Sequence, residues 1–236
     1  MQNKNNALAG LFIAISIICL GFFINAGIDN FVNKDRKVSV KGLAELEVKA
    51  NQVVWPILYI EAGNDLRSIY ATITRKNKDI LNFLKENGLS DKEISLGAPN
   101  IIDKKANSYE NNRNIDFRYS VTSVITVSSE KVDLILKLML KQTELLTKGI
   151  AIGGDNYSYP IRFTFTKLND VKPKMIEEAT KNARKAALKF AEDSKSNLGK
   201  IRYASQGQFS IYDRDPNTPY IKKIRVVTSV AYGLVD

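Results

Sequence analysis

The 236-residue chain contains no histidine, and Cys19 is its only cysteine. One cysteine cannot build a disulfide framework. Without histidine or a second thiol, the common zinc, copper and thiol chemistries have no ligands, and no side chain titrates near neutrality to serve as a base. Nucleophilic catalysis of the usual kind is therefore excluded, and a serine–lysine pair is what remains, with Ser158, Ser194 and Ser210 as its candidate serines. No glycine-rich phosphate loop is present: Gly149, Gly153 and Gly154 have the wrong spacing and follow a helical pattern instead of opening one. Asp213, Asp215 and Asn217 imitate the start of a calcium loop, but Thr218 stands where glycine is needed and Ile224 where the closing glutamate belongs, so an ordinary turn is expected. Neither cofactor nor metal is implied.

Charge is present but unbalanced, with 35 basic against 25 acidic residues and a formal net charge of +10. The basic residues are scattered, not striped. Nucleic-acid binding finds little support, since Phe117 and Tyr119 lie on the apolar side of their strand with no glycine–aromatic signature around them. An anionic lipid surface or an acidic envelope polymer is the better partner for such a charge.

From Asn5 to Ile28 no residue is charged, and Leu8, Leu11, Phe12, Ile13, Ile15, Ile17, Ile18, Leu20, Phe22, Phe23 and Ile24 form an almost unbroken apolar run. A helix from Ala7 to Ile28 would be about 33 Å long at about 1.5 Å per residue, enough for a hydrocarbon core of about 30 Å. Residues 1–30 thus read as a transmembrane or signal-anchor helix. The run is longer than a signal core, and Ile24-Asn25-Ala26 is a poor cleavage site, so a retained anchor is expected. Lys4 on one side and Lys34, Arg36 and Lys37 on the other leave orientation open.

After a polar spacer, 31–37, the body begins. Val38, Val40, Gly42, Ala44, Leu46 and Val48 alternate with polar residues, predicting a half-buried strand. Val53 to Ala62 reads as an interior strand in which Pro56 demands a bulge or an edge. Asp65 caps a helix with Ile69, Ile73, Ile80 and Leu84 in register, stopped by Asn87 and Gly88. Strands follow at Glu93–Lys104 and Ile115–Val127, with a polar tip between them carrying four asparagines. A second helix opens at Ser128 or Ser129 and runs to Lys148. Its Leu134, Leu138 and Leu145 widen the apolar stripe beyond one face, which means deep burial or contact with another subunit. Extended chain over Ile150–Leu168 completes strand, helix, strand, strand, helix, strand, the ferredoxin-like βαββαβ order. A long helix capped by Asp170 and stopped at Gly199 has one face of Ile176, Ala179, Ala183, Ala186, Ala187, Phe190 and Ala191, with Phe190 as its bulky plug. A strand at Ile201–Ile211, a proline-bearing loop and a last strand with Ile224, Val226, Thr228, Val230, Tyr232 and Leu234 buried would pair the first strand in the same sheet. One α+β unit, 38–236, is the resulting fold.

Four passages, VSVKGLAELEVKANQ, NGLSDKEISLGAPNI, EEATKNARKAALKFAEDSKSNLGKIRYASQGQ and KKIRVVTSVAYGL, occur in the order found in SIMPL-domain proteins, which the chain after Lys37 resembles. That group has no assigned function. It includes exported, oxidative-stress-associated and periplasmic immunogenic proteins of bacterial envelopes. Trp55 and Pro56, and the retained anchor, depart from the usual pattern. The resemblance implies an exported, periplasmic domain, and joined to the anchor read from the apolar run this makes a single-pass bacterial inner-membrane protein the expectation. It implies no catalytic positions, and some members form ring-like or channel-like homo-oligomers, for which Leu134, Leu138 and Leu145 are the candidate contacts. Two functions follow as expectations: a noncatalytic, self-assembling envelope protein serving integrity or stress resistance, or a binding module for a small envelope ligand or a partner protein.

Overall fold

Alternating burial and helical register carry through into a mixed α+β fold with two antiparallel sheets. The computed structural model describes residues 14–24, 36–106, 116–153 and 158–235. In chain order these hold helix α1 (14–24), β1 (Lys37–Lys49), β2 (Gln52–Gly63), α2 (Leu66–Glu86), a 3-10 turn (Asp91–Glu93), β3 (Ile94–Leu96), β4 (Asn100–Asp103) and β5 (Tyr119–Ser129). They continue with α3 (Val132–Lys141), α4 (Thr143–Leu146), β6 (Arg162–Thr164), α5 (Leu168–Asp193), β7 (Asn197–Gln206), β8 (Ser210–Asp213) and β9 (Ile221–Val235). The chain divides into two compact units instead of the single one expected. The first is Met1–Leu46, Asn169–Ile211 and Ile224–Asp236; the second is Glu47–Leu168 and Tyr212–Lys223.

In the first unit the sheet runs β1-β9-β7, with β8 also on β9. β1 therefore pairs with the last strand as expected, but in a sheet separate from that of β2. Val40, Gly42 and Ala44 are buried, as are Ile224, Val226, Thr228, Val230 and Tyr232 on β9. Against Val40, Val230 and Tyr232 packs the alanine lane of α5. The contact is close because nothing larger than hydrogen separates β1 from the helix at Gly42. A β-carbon there would lie 1.8 Å from the Ala179 carbonyl oxygen and 2.5 Å from the Ala183 nitrogen.

The buried lane is Met175, Ala179, Ala183, Ala187 and Ala191, at strict four-residue spacing. Residues three away fall beside it, so Ile176 and Ala186 are only half-buried and Phe190 is 60% exposed, not a plug. The helix also starts earlier than its expected cap, with Asp170 and Pro173 inside it, and it stops sooner. Lys195, at φ 53°, turns the chain out of the helix, and Gly199 lies within β7.

The sheet of the second unit is ordered β3-β5-β2-β6, with β4 also on β5, so the strand, helix, strand, strand, helix, strand succession is present with its second strand divided. The break falls at 97–99, where the Gly97 N–H donates to the Val124 carbonyl. β2 runs along β5 without any shift of register, Pro56 facing Thr126. Among the described residues its other side is unpaired beyond Val54, where β6 ends, until Gly153 donates to the Leu58 carbonyl. Residues two apart on a strand direct their backbone groups the same way, so the missing N–H of Pro56 falls on that open side and an edge, not a bulge, accommodates it.

Asp65 caps α2, accepting from the Arg67 and Ser68 N–H groups at 3.4 and 3.0 Å, and Gly88 at φ 94° stops it, as expected. The second helix differs. Ser129 remains in β5, Lys131 precedes α3, and the helical run breaks at Gln142 into α3 and α4. Ile57, Ile80, Leu84, Ile125, Ile135, Leu138 and Leu145 form the core with Trp55. Phe117 lies before β5 and is 49% exposed, and Ile115 falls outside the described residues.

Helix α1 spans about 16 Å at about 1.5 Å per residue. Among the described residues no helix is long and apolar enough to cross a membrane. Leu8, Leu11, Phe12 and Ile13, the remainder of the expected span to Ile28, and the spacer up to residue 35 lie outside the described residues.

Replacing Gly42 by alanine is expected to lower stability by about 1–3 kcal/mol or more, because helix and strand backbones would have to separate. Thermal and urea unfolding would show it, with Gly153→Ala, which meets nothing within 4 Å, as the neutral control. Equal melting of the two variants would mean that the contact is not close.

Candidate functional site

In the second unit a set of polar side chains meets where the end of α2, the 3-10 turn and the end of β5 converge. Ser90-x-x-Glu93 is a capping box: the Glu93 carboxylate accepts from the Ser90 N–H at 2.9 Å and the Ser90 hydroxyl at 2.8 Å. The Ser129 hydroxyl, at the end of β5, donates to Glu93 Oε1 at 2.5 Å, and its oxygen accepts from the Lys131 N–H at 3.0 Å. Lys131 Nζ reaches Glu93 Oε2 at 3.0 Å and the Gly88 carbonyl at 3.1 Å. Gln52, Glu93, Ser128, Ser129, Glu130 and Lys131 line an open depression of about 470 Å³ beside this set.

The electrostatics decide what the cluster can do. The Ser129 hydroxyl first, then the Ser90 N–H and Lys131, hold the Glu93 carboxyl down at about 2. A carboxylate so acidic is a poor acceptor for a serine proton at neutral pH. The Lys131 ammonium sits on Glu93, not on the Ser129 oxygen. The set therefore braces the start of α3 to the turn and does not activate Ser129.

A second polar group is buried between α2 and the sheet. The Tyr59 hydroxyl lies 2.8 Å from Asn77 Oδ1 and 3.1 Å from the Ile73 carbonyl, and Ser123 Oγ is 3.1 Å from the same Asn77 oxygen. Burial pushes the Tyr59 phenol above its ordinary value. Lys76, paired with Glu61, stands 5.9 Å from the centre of the Tyr59 ring. Every oxygen here has a partner, and the arrangement ties helix to sheet.

The calcium-like stretch proves to be a turn. Asp213 pairs with Lys222, whose side chain is 9% exposed. Asp215 accepts from the Asn217 and Thr218 N–H groups at 2.9 Å, from the Thr218 hydroxyl, and from Arg214 Nε at 3.0 Å. Those donors, the Thr218 hydroxyl foremost, depress its carboxyl to about 2. Its oxygens are occupied by hydrogen bonds.

Of the three serines read from the sequence, Ser194 spends its hydroxyl on the Ala191 carbonyl at 3.0 Å, while Ser210 is exposed in β8 and Ser158 exposed beside β6. The structure instead brings together Ser129, Lys131 and Glu93. All three were missed from the sequence, which puts Glu93 at the opening of a strand and Ser128 or Ser129 at the opening of a helix, although Ser90-x-x-Glu93 is a capping signature that could have marked the turn. Leu138 and Leu145 are 1% and 0% exposed and belong to the chain's own core, against which Leu134 packs half-buried. The apolar residues that this helical pair leaves in the open are Leu140, 80% exposed, and Leu146, 54% exposed. Leu140 and Leu146 were missed because helical register alone does not say where α3 breaks.

Because the folded carboxyl of Glu93 titrates near 2, below its ordinary value, its bonds stabilise the fold above about pH 4.5 and the contribution is lost as pH falls toward 2. Glu93→Gln is expected to cost about 1–3 kcal/mol at neutral pH, with the difference shrinking below about pH 4. Paired urea titrations check this, and a pH-independent difference would contradict it.

No curated protein matches the chain. One protein-family model does, described as SIMPL, protein of unknown function (DUF541), and it matches residues 38–230. That range opens on the second residue of β1 and closes in β9 at Val230, taking in both units and the strand pair on which α5 rests. On this match over most of its length, the chain belongs to the SIMPL family.

Proposed function

We propose that this SIMPL protein is a noncatalytic component of the bacterial cell envelope, held in the inner membrane by its amino-terminal segment with the folded units exported. Copies associate with one another and contribute to envelope integrity or stress resistance. The observation that carries the reading is α1. All its residues are exposed, and among them Ile17, Ile18, Leu20, Phe22 and Phe23 are each at least 60% exposed. The seven large apolar residues of this helix favour transfer into lipid by about 2–4 kcal/mol together, at about −0.3 to −0.6 each. Left in water, a surface of this kind is an aggregation hazard; covered by a bilayer, it is an anchor.

Self-association has a narrower support. Leu138 and Leu145 are used internally, so the contact surface moves to Leu140 and Leu146, with Leu134 at its margin. No side-chain cluster described above activates a nucleophile, and the family brings no catalytic positions.

Membrane fractionation of the full chain carrying a C-terminal tag tests the anchor. The chain is expected in the carbonate-resistant membrane fraction, with the tag digestible only from the periplasmic side. Ile18→Lys combined with Phe22→Lys should release it, since each buried lysine costs about 2.5–3.5 kcal/mol. A chain that is soluble without substitution would overturn the reading. Light scattering in detergent tests assembly: an oligomer is expected, shifted toward monomer by Leu140→Lys, and a monomer at high concentration would remove self-association from the account.

A further inference from the structure

In the first unit α5 packs on one face of the β1-β9-β7 sheet, and among the described residues no helix packs on the other. Val40, Gly42 and Ala44 face α5, so Lys37, Lys41 and Leu43 face the opposite way. On β9 the same alternation sends Arg225, Val227, Ser229, Ala231 and Gly233 to that side, and the pairing of Tyr203 with Ala231 adds Tyr203. Arg202 belongs there too, because a β-carbon on Gly233 would come within 3.0 Å of its Nε. The middle of the face is thus flat, being serine, alanine and glycine. Around it stand four cations, Lys37, Lys41, Arg202 and Arg225, and two exposed residues of interfacial type, Leu43 and Tyr203, 40% and 64% exposed.

Glu45 and Glu47 are the β1 carboxylates on this side: Glu45 lies 3.9 Å from Arg225 Nε, and Glu47 is paired with Arg214 at 3.6 Å. Lys37, Lys41 and Arg202 meet no carboxylate within salt-bridge distance among the described residues. Both sheet edges are obstructed. Asn182 Nδ2 donates to the Leu43 carbonyl on β1 at 2.9 Å, and β7 carries two shifts of register. Such features discourage a further strand, so the face and not the edge is available to a partner.

We propose that this cationic face rests on the anionic headgroup layer of the membrane that α1 enters. The proposal depends on the anchored reading above and adds the surface and its partner. Charge complementarity supplies one argument: unpaired basic residues beside a tyrosine and a leucine suit the boundary between headgroups and acyl chains. Tether length supplies the other. Residues 25–36, at about 3.3 Å per residue when fully extended, keep the start of β1 within about 40 Å of the end of α1. Lys37 and Lys41, on the strand nearest the tether, are the first cations to reach the surface.

The test uses the full chain with Cys19→Ser, carrying a fluorophore at Ser39→Cys on the open face or at Lys185→Cys on the outer side of α5. It is reconstituted in vesicles of phosphatidylcholine, with or without phosphatidylglycerol, that contain a headgroup-attached quencher. The Ser39→Cys probe is expected to be quenched at least about twofold more in the anionic vesicles than in the zwitterionic ones, and the Lys185→Cys probe equally in both. Lys41→Glu with Arg225→Glu, checked for unchanged melting, or molar salt on the unsubstituted face, should abolish the difference. A chain that floats with vesicles but shows no anionic excess overturns the proposal and leaves the anchor standing. A chain that does not float overturns both. Shielding of the Ser39→Cys probe that grows with protein concentration in neutral detergent would assign the face to a second copy and overturn it as well.

Discussion

The approach of α5 to β1 is the constraint on which the first unit depends. Gly42 offers a hydrogen where any other residue offers a carbon, and the helix answers with alanine at 179, 183 and 187. Helix and strand backbones meet without long side chains between them, so the contact gains dispersion energy over many atom pairs and little from any one. Nothing in it can be enlarged. That closeness also fixes the fate of the other side chains on the helix: large residues such as Leu188 and Phe190 are turned outward, 48% and 60% exposed. The sheet face away from the helix carries the cations, with Arg202 lying over Gly233 and Arg225 beside Glu45.

The second unit is held by a different device. Its core is large aliphatic residues around Trp55, and polar groups that enter it are tied in pairs. Asn77 receives both Tyr59 and Ser123, and Glu93 receives Ser129 and Lys131. A carboxylate that would be a reactive acid elsewhere is saturated by donors here, which makes it a brace. Chemistry that needs an unsatisfied, tunable group is absent from both clusters. The same reasoning applies to Asp215, whose acceptors are used inside one turn.

Much of this order was legible in the residues, where period and punctuation agreed. β1 and β9 declare themselves by strict alternation, and α2 by Asp65 at one end and Asn87-Gly88 at the other. The succession from β2 to β6 followed from the same signs. Other features depend on distant parts of the chain. Whether Ser129 ends a strand or starts a helix is settled by Glu93, thirty-six positions earlier. Gly97 divides an apparent strand because its N–H is claimed by Val124. The alanine stripe of α5 predicted a buried face but not its axis, and four-residue spacing over three-residue spacing put Phe190 outside. The surplus leucines of α3 and α4 were read as deeply buried or as a contact with another subunit; Leu138 and Leu145 are buried, and helical register could not show where the break at Gln142 would leave Leu140 and Leu146 exposed. β1 was placed in the wrong sheet because alternation specifies a face, not a neighbour.

The account joins an apolar amino-terminal helix to units whose described polar clusters brace the fold, and its centre is the proposal that lipid covers α1. Cys19, the chain's only thiol, sits on that helix and is exposed in the chain by itself. Labelling intact membranes with a membrane-impermeant maleimide therefore reads the claim at its own position. The account predicts that Cys19 is protected in the membrane and reacts fully once detergent and denaturant are added. Reaction in intact membranes at the rate of the denatured chain would contradict it.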